Sequence, residues 1–128
     1  MTSDELDFIR AAYASPDGLA VFADRVAPDA VFDFSDAYPD GPVVQGPDAA
    51  RRFREQGPWA EIRFDPERLI EVDQARVLVL VRVRLVGAGS GTPVEHPAAH
   101  LITVRDGMLT GFKVYLDRAA ALAEADLA

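Results

Sequence analysis

Residues Ala75-Arg76-Val77-Leu78-Val79-Leu80-Val81-Arg82-Val83-Arg84-Leu85-Val86 decide the fold class. Side chains alternate across a strand, and Val77, Val79, Val81, Val83 and Leu85 fill every odd position, so one face is continuously apolar. The even face passes from Leu78 and Leu80 to Arg82 and Arg84, which predicts a strand buried on its odd side. The turn Gly87-Ala88-Gly89-Ser90-Gly91 follows, and two more strands are predicted over about 94–105 and 108–116. Upstream, Ile62-Arg63-Phe64 and residues 69–72 read as strand interrupted at Pro66, as expected of an edge strand or a bulge.

The amino-terminal half has a different period. Thr2-Ser3-Asp4-Glu5 has capping-box form, and Leu6, Ile9 and Tyr13, widened by Phe8 and Ala12, follow at helical spacing. A second short helix is expected from Leu19, Phe22, Ala23 and Val26, closed by Pro28. Ala30-Val31-Phe32-Asp33-Phe34 reads as a strand, followed by a polar loop over 35–46. Pro47 suits the first turn of a third helix with Phe53 on its inner side, and Gly57-Pro58 ends it. Asp117 is placed to cap a last helix running through residue 127 and anchored by Leu122. Helices segregated from a run of strands predict one α+β domain over 1–128. In it, three N-terminal helices pack on one face of a curved, mostly antiparallel sheet.

Composition narrows the function. The 128 residues carry 13 Lys+Arg against 21 Asp+Glu, a formal charge of -8. Such a balance argues against nucleic acid or an anionic membrane as partner, since both are bound through clustered positive charge. Cysteine is absent, which excludes disulfides, thiolate metal sites and thiol nucleophiles. No apolar run approaches the ~20 residues of a membrane span, and Met1-Thr2-Ser3-Asp4-Glu5-Leu6-Asp7 is no secretory signal. A soluble cytoplasmic protein is expected.

The turn Arg105-Asp106-Gly107 determines which side chains meet across the last hairpin. A three-residue loop with Gly107 in the left-handed region pairs even residues with even ones and separates apolar from polar well. It puts His100, Ile102 and Val104 on one face with Met108, Thr110, Phe112, Val114 and Leu116. Thr103, Arg105, Lys113, Tyr115 and Asp117 take the other. His100 then faces the helices, opposite Phe112, and His96 shares its face nearer the strand end.

An inward imidazole suits acid, base or hydrogen-bond chemistry, and equally a core histidine satisfied by a neighbour. His96 and His100 lie ~13 Å apart along a strand, too far for one metal ion. Asp33, between Phe32 and Phe34, is a candidate base if apolar walls raise its pKa, or an outward strand residue if both rings point in. Trp59, Tyr13, Phe53 and Phe112 suggest an aromatic wall for a flat ligand, and core packing accounts for them as well. Tyr13 and Tyr38 offer hydroxyl donors. Arg82, Arg84 and Lys113 share the outer face and suit the polar part of a subunit contact. The glycines at 87–91 lead from strand to strand, unlike a phosphate loop.

Three segments carry a family resemblance: Ala27-Pro28-Asp29-Ala30-Val31-Phe32-Asp33-Phe34, Gly46-Pro47-Asp48-Ala49-Ala50, and His100-Leu101-Ile102-Thr103-Val104-Arg105-Asp106-Gly107. With residues 112–116 they make the chain resemble the SnoaL-like, polyketide cyclase-like group of the nuclear transport factor 2-like superfamily. The resemblance implies a cone-shaped, cystatin-like fold enclosing one pocket, commonly a homodimer packed through the sheets. Relatives include ketosteroid isomerase, scytalone dehydratase, limonene epoxide hydrolase and polyketide cyclases, besides non-catalytic binding domains, so fold alone assigns no reaction. SnoaL-type cyclases use a histidine on the penultimate strand, matched by His100, and an aspartate on the last, where this chain has Val114. The isomerase base falls at Phe34, one position from Asp33. The expectation is a pocket for a small apolar cyclic or polyketide-like molecule, without cofactor. His100, Asp33 and Tyr13 are its candidate catalytic groups, and Trp59, Phe53, Phe112, Val114, Tyr38, His96 and Phe34 its lining. Isomerisation, cyclisation or dehydration by proton transfer is one expectation, and a non-catalytic binding or dimerisation module the other.

Overall fold

Thr2 and Glu5 start the first helix by bonding each other's backbone. The Thr2 N–H donates to Glu5 Oε1 at 2.9 Å and the Glu5 N–H to Thr2 Oγ1 at 3.1 Å, the reciprocal capping box expected. The computed structural model describes residues 1–14, 25–37, 41–48, 51–52, 59–87, 89 and 91–126, with residues 59 and 60 as backbone. After α1 (Ser3–Ala14) come β1 (Val26–Asp33), β2 (Val43–Gln45), β3 (Trp59–Glu71), β4 (Arg76–Gly87), β5 (Pro93–Arg105), β6 (Met108–Tyr115) and α2 (Arg118–Glu124). No helix among the described residues is long and apolar enough to cross a membrane.

The strands form one sheet in the order β2-β1-β6-β5-β4-β3. Every pairing is antiparallel except β1 with β6, which is parallel. The four-strand meander β3 to β6 is therefore as the apolar alternation predicts. β3 is an edge strand whose register shifts between Pro66 and Arg68, so Pro66 lies at an edge and beside a bulge, as expected.

Several expectations need correction. A single helix precedes the sheet in the described residues, where three N-terminal helices were expected. Most of the expected second helix lies outside the described residues, and Val26 to Asp29 belong to β1, which starts four residues before Ala30. Burial alternates only from Ala30 onward: Val26 and Ala27 are both buried and Pro28 and Asp29 both exposed, where the pairing with β6 shifts register between Val26 and Val31. Residues 47–48 and 51–52 are helical. The expected loop over 35–46 contains β2, which pairs with β1. Gly41 makes that return possible, because a Cβ there would lie 1.8 Å from the Phe34 carbonyl oxygen.

The last hairpin keeps the expected even pairing only beyond a bulge; beside the turn Leu109, and not the expected Met108 or Thr110, pairs with Val104 in the inner core. His100 pairs with Val114 and Ile102 with Phe112, even with even, but Arg105 pairs directly with Met108 across a two-residue turn. Asp106 at φ 53° and Gly107 at φ 77° both lie in the left-handed region, as a type I′ turn requires. A bulge between Thr103 and Val104 on this ladder restores the even pairing. Val104 consequently meets Leu109, and both are buried.

Each face of the sheet packs a separate core. The inner face, with Val77, Val79, Val81, Val83, Ile102, Val104 and Phe32, meets Phe8, Ile9 and Ala12 of α1. The outer face, with Leu78, Ala99, Leu101 and Tyr115, is covered by Ala121 and Ala125 at the carboxyl-terminal end. Asp117 caps α2 as expected, accepting from the Ala119 N–H at 2.9 Å. The fully buried anchor is Ala121, with Leu122 only partly buried beside it, because the close approach of helix to sheet favours a small side chain.

Candidate functional site

The site begins at the middle of β5. His100 lies between Val79 of β4 and Val114 of β6 and is fully buried. Tyr13, on the last turn of α1, brings its hydroxyl to 2.6 Å from His100 Nδ1. Three aromatic rings surround the imidazole. Phe64 lies edge-on with centroids 4.7 Å apart, Phe112 is tilted at 4.6 Å, and Tyr13 is nearly parallel at 5.9 Å. Nε2 is buried and has no hydrogen-bond partner among the described residues.

Burial dominates the electrostatics. It pushes the His100 pKa from 6.5 down to about 3 and the Tyr13 hydroxyl well above 10.0, since neither charged form is solvated there. Both groups are therefore neutral near pH 7. An imidazole whose pKa is held that low is a weak proton acceptor, whereas its neutral N–H remains a competent hydrogen-bond donor.

The structure brings His100, Tyr13 and Phe112 together, with Val114 partly buried beside His100. It does not bring Asp33 to them. Phe32 pairs with Phe112 and their rings lie 6.0 Å apart, so the next pair along, Asp33 and Lys113, falls on the opposite face. Partial burial works to raise the Asp33 pKa, but Ser35 and Lys113 outweigh it and hold it below the usual value. The Ser35 hydroxyl donates at 2.6 Å and its N–H at 2.9 Å, with Lys113 Nζ at 3.8 Å. Such a carboxylate is stabilised as the anion, the reverse of the raised pKa that a base role requires. Lys113 also lies 3.3 Å from Asp36, so it is neutralised within this face.

Phe34 is partly buried and packs against the inner core. His96 pairs with Val83 at the far end of β5 and is exposed. Among the described residues no cluster of three His, Asp or Glu side chains is placed to hold a metal ion. The side chains of Trp59 and the whole of Phe53 and Tyr38 lie outside the described residues. Phe64 was not foreseen in the sequence. Its place in Ile62-Arg63-Phe64 showed an inward residue, but its approach to His100 depends on the register of β3 on β4, which the shift at Pro66 sets. A groove of about 380 Å³ lined by Val26, Pro28, Gln45, Gly46, Pro47, Asp48 and Arg52 lies at the β1–β2 end and shares no residue with this constellation.

Solved structures share this architecture at low identity. An NTF2-like protein of unknown function from Burkholderia pseudomallei K96243 superposes with a TM-score of 0.76 at 23% identity, over 95% of this chain and 97% of that one. A candidate SnoaL-like polyketide cyclase from Jannaschia sp. CCS1 gives 0.70 at 17% identity, over 94% and 90%. An LEH-like epoxide hydrolase from M. tuberculosis gives 0.69 at 17%, over 97% and 90%. These likenesses establish the α+β fold with its large curved sheet and select no single reaction. No curated protein matches the sequence significantly. The SnoaL-like domain model matches residues 7–112, a span that runs from α1 through the β6 residue packed against His100, and the chain belongs to the SnoaL-like domain family.

Proposed function

We propose that this chain binds a small apolar molecule, cyclic or polyketide-like, on the inner face of its sheet, with His100 as the group that orients it. One observation carries the reading: a fully buried imidazole, ringed by Tyr13, Phe64 and Phe112, keeps Nε2 without a hydrogen-bond partner among the described residues. A buried polar atom left unpaired is costly, and such groups concentrate where a ligand completes them. Membership of the SnoaL-like family supports the same reading, which invokes no cofactor.

Binding is favoured over catalysis by proton transfer. Asp33 is turned to the other face, Val114 stands where the family aspartate is expected, and burial depresses the basicity of His100. The catalytic alternative, an isomerase, cyclase or dehydratase, retains the Nε2 position as its support, since a neutral imidazole N–H can stabilise oxygen that gains charge. We further propose a homodimer through the outer sheet face, where Arg82 lies 4.0 Å from Glu95.

The test is mass spectrometry of small molecules that co-purify with the protein and with a His100→Ala variant. An apolar compound retained by the protein and lost from the variant is the expected result. Equal retention by both removes His100 from the binding site. Incubation of the retained compound with fresh protein then separates the two readings, because only an enzyme consumes it.

A further inference from the structure

We infer that Tyr13 is a positioning residue that holds His100 as the Nε2–H tautomer, so that the site selects a ligand oxygen able to accept a hydrogen bond. The inference deepens the binding reading above and rests on it. Two arrangements fit the 2.6 Å contact between the Tyr13 hydroxyl and Nδ1. In the first, the phenol O–H donates to Nδ1, and the imidazole proton resides on Nε2. In the second, Nδ1–H donates to the phenol oxygen, and the phenolic hydrogen must find another acceptor.

Counting buried groups separates them. Among the described residues the Tyr13 hydroxyl has one partner, Nδ1, and Nε2 has none. The second arrangement therefore leaves two groups unsatisfied, the phenolic hydrogen and the bare Nε2. The first leaves one, the Nε2–H. A phenol is also the better donor and an imidazole nitrogen the better acceptor of this pair. The first arrangement prevails, and the Tyr13 hydroxyl is committed to Nδ1 and unavailable as a donor to a ligand.

The consequence is a preference by atom type. A neutral N–H inside three aromatic rings complements a carbonyl or ether oxygen on a flat apolar body. An ammonium group meets a like donor and, among the described residues around His100, no counter-charge. A hydrocarbon of the same shape leaves Nε2–H unpaired.

Nuclear magnetic resonance of the protein with ¹⁵N-labelled histidine tests this directly. The expected spectrum of His100 has a protonated Nε2 and a bare Nδ1, and Tyr13→Phe mixes the two tautomers. A proton on Nδ1 in the unaltered protein overturns the inference. The probes are 1-tetralone, tetralin and 1-aminotetralin, which share one frame and differ in offering an acceptor, nothing or a cation. Binding of 1-tetralone is expected to be about tenfold tighter than of either other probe. That preference falls away in Tyr13→Phe and His100→Leu and survives in part in His100→Gln, whose amide N–H lies near the Nε2 position. Equal or tighter binding of 1-aminotetralin overturns the ligand preference. If no probe moves the His100 resonances, the binding reading itself fails, and the tautomer in the same spectra still confirms or overturns the role of Tyr13.

Discussion

His100 is fully buried in the inner core, and it ties the protein's stability to pH. Its folded pKa, about 3, lies below the ordinary value of 6.5. The unfolded chain therefore binds a proton near pH 6.5 that the folded chain refuses. Stability from keeping this group neutral is complete above pH 6.5 and lost as pH falls toward 3. One proton corresponds to about 1.4 kcal/mol per pH unit. Between pH 6 and 5, above the carboxylate range, urea unfolding should show a stability loss approaching that slope, and His100→Leu should flatten it. An unchanged slope in the variant refutes the burial of His100 as its origin. The inward direction of His100 was legible from alternation along β5 and from the even-with-even pairing across the hairpin. Its contact with Tyr13 was not, because these residues are 87 positions apart and meet only when α1 docks on the sheet.

Among the elements, α2 shows how a cation can replace missing backbone donors. Pro66 pairs with Val81 in the sheet and has no N–H to offer. Arg118 Nη2 donates to the Val81 carbonyl at 2.7 Å, its Nε donates to the Ala98 carbonyl at 3.1 Å, and the same guanidinium pairs with Glu67 at the β3 bulge. The first residue of α2 thus fastens the helix across β5, β4 and β3. Arg118→Met keeps the apolar stem and removes these donors, and should destabilise the protein by about 2–3 kcal/mol. Hydrogen exchange at the Ala121 and Ala125 amides should quicken more than at the amides of β4. Equal protection in variant and parent would show that α2 docks through its alanines alone. Asp117 as the cap could be read from local sequence, whereas Arg118 could not, since nothing local shows that Val81 and Ala98 lie beneath it.

For the molecule as a whole, the sheet order is the decisive fact. The parallel insertion of β6 beside β1 places Phe32 against Phe112 and sends Asp33 to Lys113, which separates the two polar residues that looked most like partners in chemistry. The outer face left beyond α2 carries Arg82 and Glu95, both exposed, and the proposed dimer uses it. Sedimentation equilibrium should give twice the monomer mass, and Arg82→Glu, which sets like charges side by side with Glu95, should shift it toward monomer. A monomer at high concentration in the unaltered protein refutes the dimer. Strict alternation in β4, the Thr2–Glu5 cap, the Asp117 cap and the left-handed glycine at 107 are local properties, determined within a few residues by backbone sterics and hydrogen bonding. They were sufficient for the α+β class, the meander and the inward histidine. The neutral Tyr13–His100 pair, the banishment of Asp33 and the reach of Arg118 came from tertiary structure alone. Each depends on which distant strands and helices lie side by side, and that is decided by the packing of two cores on the two faces of one sheet.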